Sequence, residues 1–112
     1  PYTGLNTPQA VLDRMPGSLS GPFTREGATR VIRAWYARID PQRYALLGAG
    51  GIVTAEHAYQ RIRAGASLVQ VYGAMIYNGP GLIKRIKAGL CTLLARDGLA
   101  NISEAIGADA RS

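Results

Sequence analysis

The residues best placed to do chemistry in this 112-residue chain are glycines at two predicted strand ends. Gly48-Ala49-Gly50-Gly51 follows the short apolar run Tyr44-Ala45-Leu46-Leu47 and precedes a helix start at Thr54. Glycines in such a turn let backbone N–H groups come close to an anion, and the following helix terminus adds partial positive charge. A phosphate is the natural guest. The same pattern also serves as a tight connection with no ligand, so the motif alone does not decide. Val71-Tyr72-Gly73 closes the next apolar run, where another backbone donor can reach the same group. Two neighbouring strand ends aimed at one anion carry more weight than either alone.

The remaining reactive residue types read blandly. His57, the only histidine, falls in the first turn of a predicted helix, with no cysteine or second histidine to complete a metal set; it reads as a surface or capping residue. Cys91 lies near the apolar face of a long helix and reads as a small core residue. Ser20 has no predictable histidine or carboxylate partner, which leaves it a loop hydroxyl or a phosphate donor rather than a nucleophile. Lys84, Arg85 and Lys87 are interleaved with apolar positions and lack aromatic stacking partners, so they read as a solvated helix face, not a nucleic-acid or lipid contact.

The elements that must position these groups follow from periodicity. The first 23 residues hold four of the six prolines and three glycines and read as loop, with a short strand at Tyr2 to Asn6. From Thr24, a candidate N-cap, apolar residues Ala28, Val31, Ile32, Trp35 and Tyr36 recur at helical spacing until Asp40-Pro41; Trp35 and Tyr36 are expected to pack this helix on a sheet. Arg43 to Gly48 and Leu68 to Tyr72 are the apolar strands. Between them a helix opens at Thr54 and closes at Gly65, and after the Gly79-Pro80-Gly81 break an amphipathic helix carries Leu82, Ile83, Ile86, Leu90, Leu93 and Leu94 on one face until Gly98. Ile102 to Ile106 forms a last turn. Strands alternating with helices predict an α/β unit with a parallel sheet, organised as one domain over residues 1–112: a loop-rich segment 1–23, then βα units over 24–112.

Composition sets outer bounds. With 47% hydrophobic residues there is material for a core, and disorder is excluded. No run reaches the roughly 18 apolar residues of a membrane span, because Lys84, Arg85 and Lys87 interrupt the most apolar region. A formal charge of +6 attracts phosphates, nucleic acid, anionic lipid or acidic partners without choosing among them. A single cysteine offers no internal disulfide and fits a reducing or matrix-like compartment, and a start at Pro1 reads as processed or truncated.

Four segments together resemble the C-terminal part of class 2, quinone-dependent dihydroorotate dehydrogenase: Gly48-Ala49-Gly50-Gly51-Ile52, the run Ile62-Arg63-Ala64-Gly65-Ala66-Ser67-Leu68-Val69-Gln70-Val71-Tyr72, Gly79-Pro80, and Glu104-Ala105-Ile106-Gly107-Ala108-Asp109. The resemblance covers roughly Gly17 to Arg111. It implies a partial (β/α)8 TIM barrel made of C-terminal βα units only. It further implies an FMN phosphate site, with Ser20, Gly21, Gly50, Gly51, Tyr72 and Gly73 as the matching cofactor contacts. Asn6 and Thr7 are similar to the family's substrate-contacting Asn-Thr pair, at a shorter spacing to Ser20. The family carries a hydroxyl residue after the tyrosine, where this chain has Gly73, so one phosphate donor is missing. The family's catalytic serine, its flavin-contacting lysines, most of its substrate asparagines and its quinone-site helices all lie upstream of the matching region.

A whole barrel of this type takes about 250 residues, so 112 residues supply fewer than half of its eight units and leave sheet edges and apolar faces uncovered. Two readings stand. In the favoured one the chain is a non-catalytic, structural or accessory subunit of a larger mitochondrial assembly, associated with the inner membrane through partners. In the other it is the FMN-phosphate-binding piece of a split or cleaved dihydroorotate:quinone oxidoreductase, inactive alone. Both need other protein chains on the open barrel edge; neither calls for nucleic acid or for more than peripheral membrane contact.

Overall fold

A computed structural model describes residues 24–110; the strand expected at Tyr2 to Asn6 and the loop-rich residues 1–23 lie outside them. The order is α1 (Arg25–Tyr36), β1 (Leu47–Ala49), α2 (Ala55–Ala64), β2 (Leu68–Gln70), α3 (Gly73–Asn78), α4 (Leu82–Arg96) and a 3-10 turn (Ile102–Glu104). The predicted alternation holds, with α3 added where the sequence suggested only an apolar segment. β1 and β2 pair in parallel, with Leu47 opposite Leu68, Gly48 opposite Val69 and Ala49 opposite Gln70. The chain is thus a small α/β unit with two parallel strands.

Successive strand residues point to opposite faces. Gly48 is buried and Val69 packs into the core, whereas Leu47 and Leu68 remain 55% and 64% exposed. Helices cover one face of the sheet. Among the described residues nothing covers the other, although a parallel sheet ordinarily has both faces buried.

Helix α2 is the centre of the packing. Its Ala58, Tyr59 and Ile62 meet Leu82, Ile86 and Leu93 of α4 in two adjoining clusters, both of which reach Val69 of β2. Gly89 lets α4 approach Ala55 so closely that an added Cβ would overlap it. Thr54 and His57 form the N-cap: the Thr54 hydroxyl oxygen accepts from the His57 amide, and His57 Nδ1 accepts from the amides of Val53 and Thr54, each at 3.2 Å. At the other end Gly65, with φ +136°, closes the helix. Carbonyls of the last turn also accept from beyond the 3-10 turn, where the Gly107 amide donates to Ile62 (3.0 Å), which the Gly65 amide also reaches, and the Asp109 amide to Arg63 (2.9 Å). Arg63 fastens this tail by donating to the Asp109 carboxylate at 2.8 and 3.0 Å.

The capping role of His57 has a consequence in pH. Nδ1 accepts only while unprotonated, and burial, followed by the Arg25 charge, lowers the His57 pKa from its ordinary value near 6.5. A histidine with a depressed folded-state pKa stabilises the fold fully above its unfolded pKa, and that contribution is lost as pH falls through the folded value. Thermal denaturation is therefore expected to show a loss of Tm as pH falls below about 6.5 that is reduced in H57Q, whose amide oxygen accepts at every pH. Identical profiles for the two proteins would remove His57 as the cause.

Several details depart from the expectations from sequence. The first strand begins at Leu47, residues 43–46 being turn and coil, and the second ends at Gln70 and not at Tyr72. Helix α1 stops at Tyr36, short of Asp40, and Thr24 makes no side-chain cap. Trp35 is 56% exposed, and Tyr36 sits against Gly65 and Gly107 instead of on the sheet. Cys91 is exposed, a correction to its core assignment. It falls nine residues, about two and a half turns, after the buried Leu82, and so lands on the opposite side of α4. Of the six apolar residues expected on one face of α4, Ile83 alone is exposed; Lys84, Arg85 and Lys87 face solvent as anticipated.

Candidate phosphate site at the strand ends

Register places the ends of both strands side by side, because Ala49 and Gln70 are direct partners. Immediately beyond them, Gly50-Gly51 and Tyr72-Gly73 line a single open cavity of about 620 Å³. The rest of its wall includes Ile52, Val53, Val71, Ile76 and Tyr77. Among the described residues no charged side chain lines it. Polar recognition by the described residues falls chiefly to backbone groups, and none of their carboxylates lines the cavity to repel an anion. Among the described residues no group of acidic, histidine or cysteine side chains is arranged to hold a metal, and no helix is long and apolar enough to cross a membrane. Ser20, Gly21, Asn6 and Thr7 lie outside the described residues.

The glycines of the site are there for different reasons. Gly50 and Gly51 have φ of +95° and +76°, backbone that other residues adopt at a cost. A Cβ on Gly51 would also lie 2.7 to 2.9 Å from Cβ, Cα and N of Arg25, so the start of α1 is pressed against this turn. Gly73 is under no such demand: its φ is ordinary, and a Cβ there would meet nothing within 4 Å. Tyr72 is 79% exposed.

Behind the glycine turn lies a residue the sequence reading passed over. Arg61 of α2 is fully buried, at 0% exposure. Its Nη1 donates to the Ala49 carbonyl at 2.8 Å and its Nη2 to the Gly50 carbonyl at 2.8 Å. Nε donates to Thr29 Oγ1 at 2.9 Å, and Nη2 also reaches the Arg25 carbonyl at 3.2 Å. Its partners are thus neutral oxygens, and burial, followed by the charge on Arg25, lowers its pKa from the ordinary arginine value. Arg25 itself donates from Nε to the Gly51 carbonyl at 2.6 Å. Gly48 makes room for this arrangement, since a Cβ there would lie 2.5 Å from Arg61 Cγ. In sequence Arg61 looks like one of several charges on α2. The available signal was its i, i+3 relation to Ala58 and Ala64, which puts it on the buried side among small residues.

The dihydroorotate dehydrogenase family model matches residues 2–94. Among curated relatives, the dihydroorotate dehydrogenase (quinone) of Anaeromyxobacter dehalogenans strain 2CP-C is 50% identical over 95 residues, which cover 85% of this chain and 26% of that protein. The enzyme of the same name from Sphingopyxis alaskensis is 52% identical over 94 residues, 84% of this chain and 26% of the relative. Among solved structures, Eimeria tenella dihydroorotate dehydrogenase in complex with ferulenol superposes with a TM-score of 0.81 at 38% identity, covering 95% of this chain and 29% of that one. Its ligand-free form gives 0.77 at 41% identity, over 83% and 26% of the two chains. The chain spans about a quarter of the length of the curated relatives it matches.

Proposed function

Because the chain belongs to the dihydroorotate dehydrogenase family, we propose that it supplies the closing βα units of a (β/α)8 barrel and holds the phosphate of FMN at its strand ends. The observation that carries this reading is the joining of Gly50-Gly51 and Tyr72-Gly73 in one cavity, free of charged side chains among the described residues and backed by buried Arg61. That donor set fits a phosphate. Backbone amides at two strand ends suit its oxygens, and positive charge lies behind the turn. Gly50, Gly51 and Gly73 hold the group, and Tyr72 flanks it. When bound, the flavin would supply the family's redox chemistry, taking hydride from dihydroorotate and passing electrons to quinone. The base that removes the substrate proton comes from polypeptide outside these residues, which also covers the open face around Leu47 and Leu68.

The test is a fluorescence titration of the flavin-free protein, together with whatever polypeptide completes its barrel, using FMN and riboflavin, which differ by the phosphate alone. FMN is expected to bind at least about tenfold more tightly, the equivalent of one well-made charge-assisted hydrogen bond. Equal affinities would refute the reading. Gly73→Ser places a hydroxyl in open space at the first position of α3. It is expected to strengthen FMN binding about fivefold and leave riboflavin unchanged.

The absent hydroxyl at Gly73 also favours a second reading, in which the chain has lost its flavin and serves as an accessory subunit of a mitochondrial assembly. A colourless protein that co-purifies stoichiometrically with other subunits and ignores FMN would support it.

A further inference from the structure

Arg61 takes two consecutive carbonyls of the glycine turn, those of Ala49 and Gly50. The described peptide bonds are all trans. In a planar trans peptide the N–H points opposite to the C=O. Each carbonyl drawn toward Arg61 therefore turns the following amide, of Gly50 and of Gly51, the other way. Arg61 is completely buried and forms no part of the cavity wall, whereas Gly50 and Gly51 do. The side away from the guanidinium is the cavity side. Arg25 repeats the arrangement once more: it holds the Gly51 carbonyl and so directs the Ile52 amide.

We propose that Arg61 is a positioning residue for the phosphate site, fixing the amides of Gly50 and Gly51 toward the cavity by clamping the carbonyls behind them and adding a positive charge paired with no carboxylate among the described residues. The inference rests on the phosphate reading above. Glycine peptides rotate at little cost, so without a clamp the turn would populate orientations that offer carbonyl oxygens to the anion. Orientation set before binding is not subtracted from the binding energy afterwards. Two further features fit. Gly48 is cut back to nothing where the arginine stem crosses the strand, and Thr29 fixes Nε so that the guanidinium fork presents both Nη atoms to the turn.

The experiment compares FMN and riboflavin affinities in the wild type, R61M, R61K and Thr29→Val, each as the intact protein stripped of flavin. R61M is expected to bind FMN about 30-fold more weakly with riboflavin affinity unchanged, the loss of two well-oriented donors. R61K, whose ammonium can reach both carbonyls without the planar fork, restores FMN binding to within about fivefold of wild type. A merely structural arginine would weaken both flavins in parallel, and that result, or an unchanged ratio, overturns the proposal. Should R61M fail to fold, Thr29→Val decides. It frees Nε while keeping both carbonyl bonds, and an FMN-to-riboflavin ratio reduced about threefold supports the clamp, whereas an unchanged ratio removes it. A wild-type ratio near one would instead sink the phosphate reading itself, and the clamp with it.

Discussion

Gly51→Ala is expected to lower the stability of the flavin-free protein by about 3 kcal/mol, read as a fall in Tm of roughly 12 °C. Two costs combine. At φ +76° an L-residue meets its own carbonyl, which costs about 1 to 2 kcal/mol. The new Cβ would also press on Cβ, Cα and N of Arg25 at 2.7 to 2.9 Å, and this is largely backbone that yields only if α1 moves. Gly73→Ala is the control. With ordinary φ and open space around it, that substitution is expected to be neutral or slightly stabilising, as alanine for glycine in a helix is. If denaturation of the two variants gave the same midpoint, Gly51 would be required by the ligand and not by the approach of α1.

Gly107→Ala carries the second large effect, also about 3 kcal/mol. Gly107 has φ +73°, and its missing Cβ would sit inside the Tyr36 ring, 2.6 Å even from the phenolic oxygen. Tyr36 is wedged between Gly107 and Gly65, where an added Cβ would lie 2.5 Å from Tyr36 Cβ. Removing the ring should therefore relieve most of the cost. In a Tyr36→Ala background the Gly107 substitution is expected to retain only the backbone strain, with a coupling of about 2 kcal/mol in the four-variant cycle. Urea unfolding of all four proteins measures it, and strict additivity would mean that the ring is not what the methyl strikes.

These two glycines show where the sequence was legible and where it was not. Gly50 and Gly51 stood out because a glycine pair between an apolar run and a helix cap is a local pattern, and so were the Thr54 start and Gly65 stop of α2. Gly107 stood out only through its family resemblance; its physical reason is a ring some seventy residues earlier, which no local pattern reveals. Arg61 was hidden for the same cause. An arginine on a helix reads as solvated, and its burial depends on a gap at Gly48 in a strand and on carbonyls that face inward. Cys91 was misplaced by helical phase: one residue beyond Leu90 turns it about 100° off the apolar stripe. Trp35 and Tyr36 are adjacent, so one packs inward and the other faces solvent.

The side of the sheet that the described residues leave bare has a thermodynamic corollary. Leu47 and Leu68 are paired in register and both more than half exposed. A polypeptide that covered them would act as a ligand of the folded unit, so its stabilisation would obey mass action and rise with the logarithm of that polypeptide's concentration. On a short tether that concentration would be effectively millimolar and constant; on a separate polypeptide it would follow that polypeptide's abundance, and dilution alone would lower the stability of the unit.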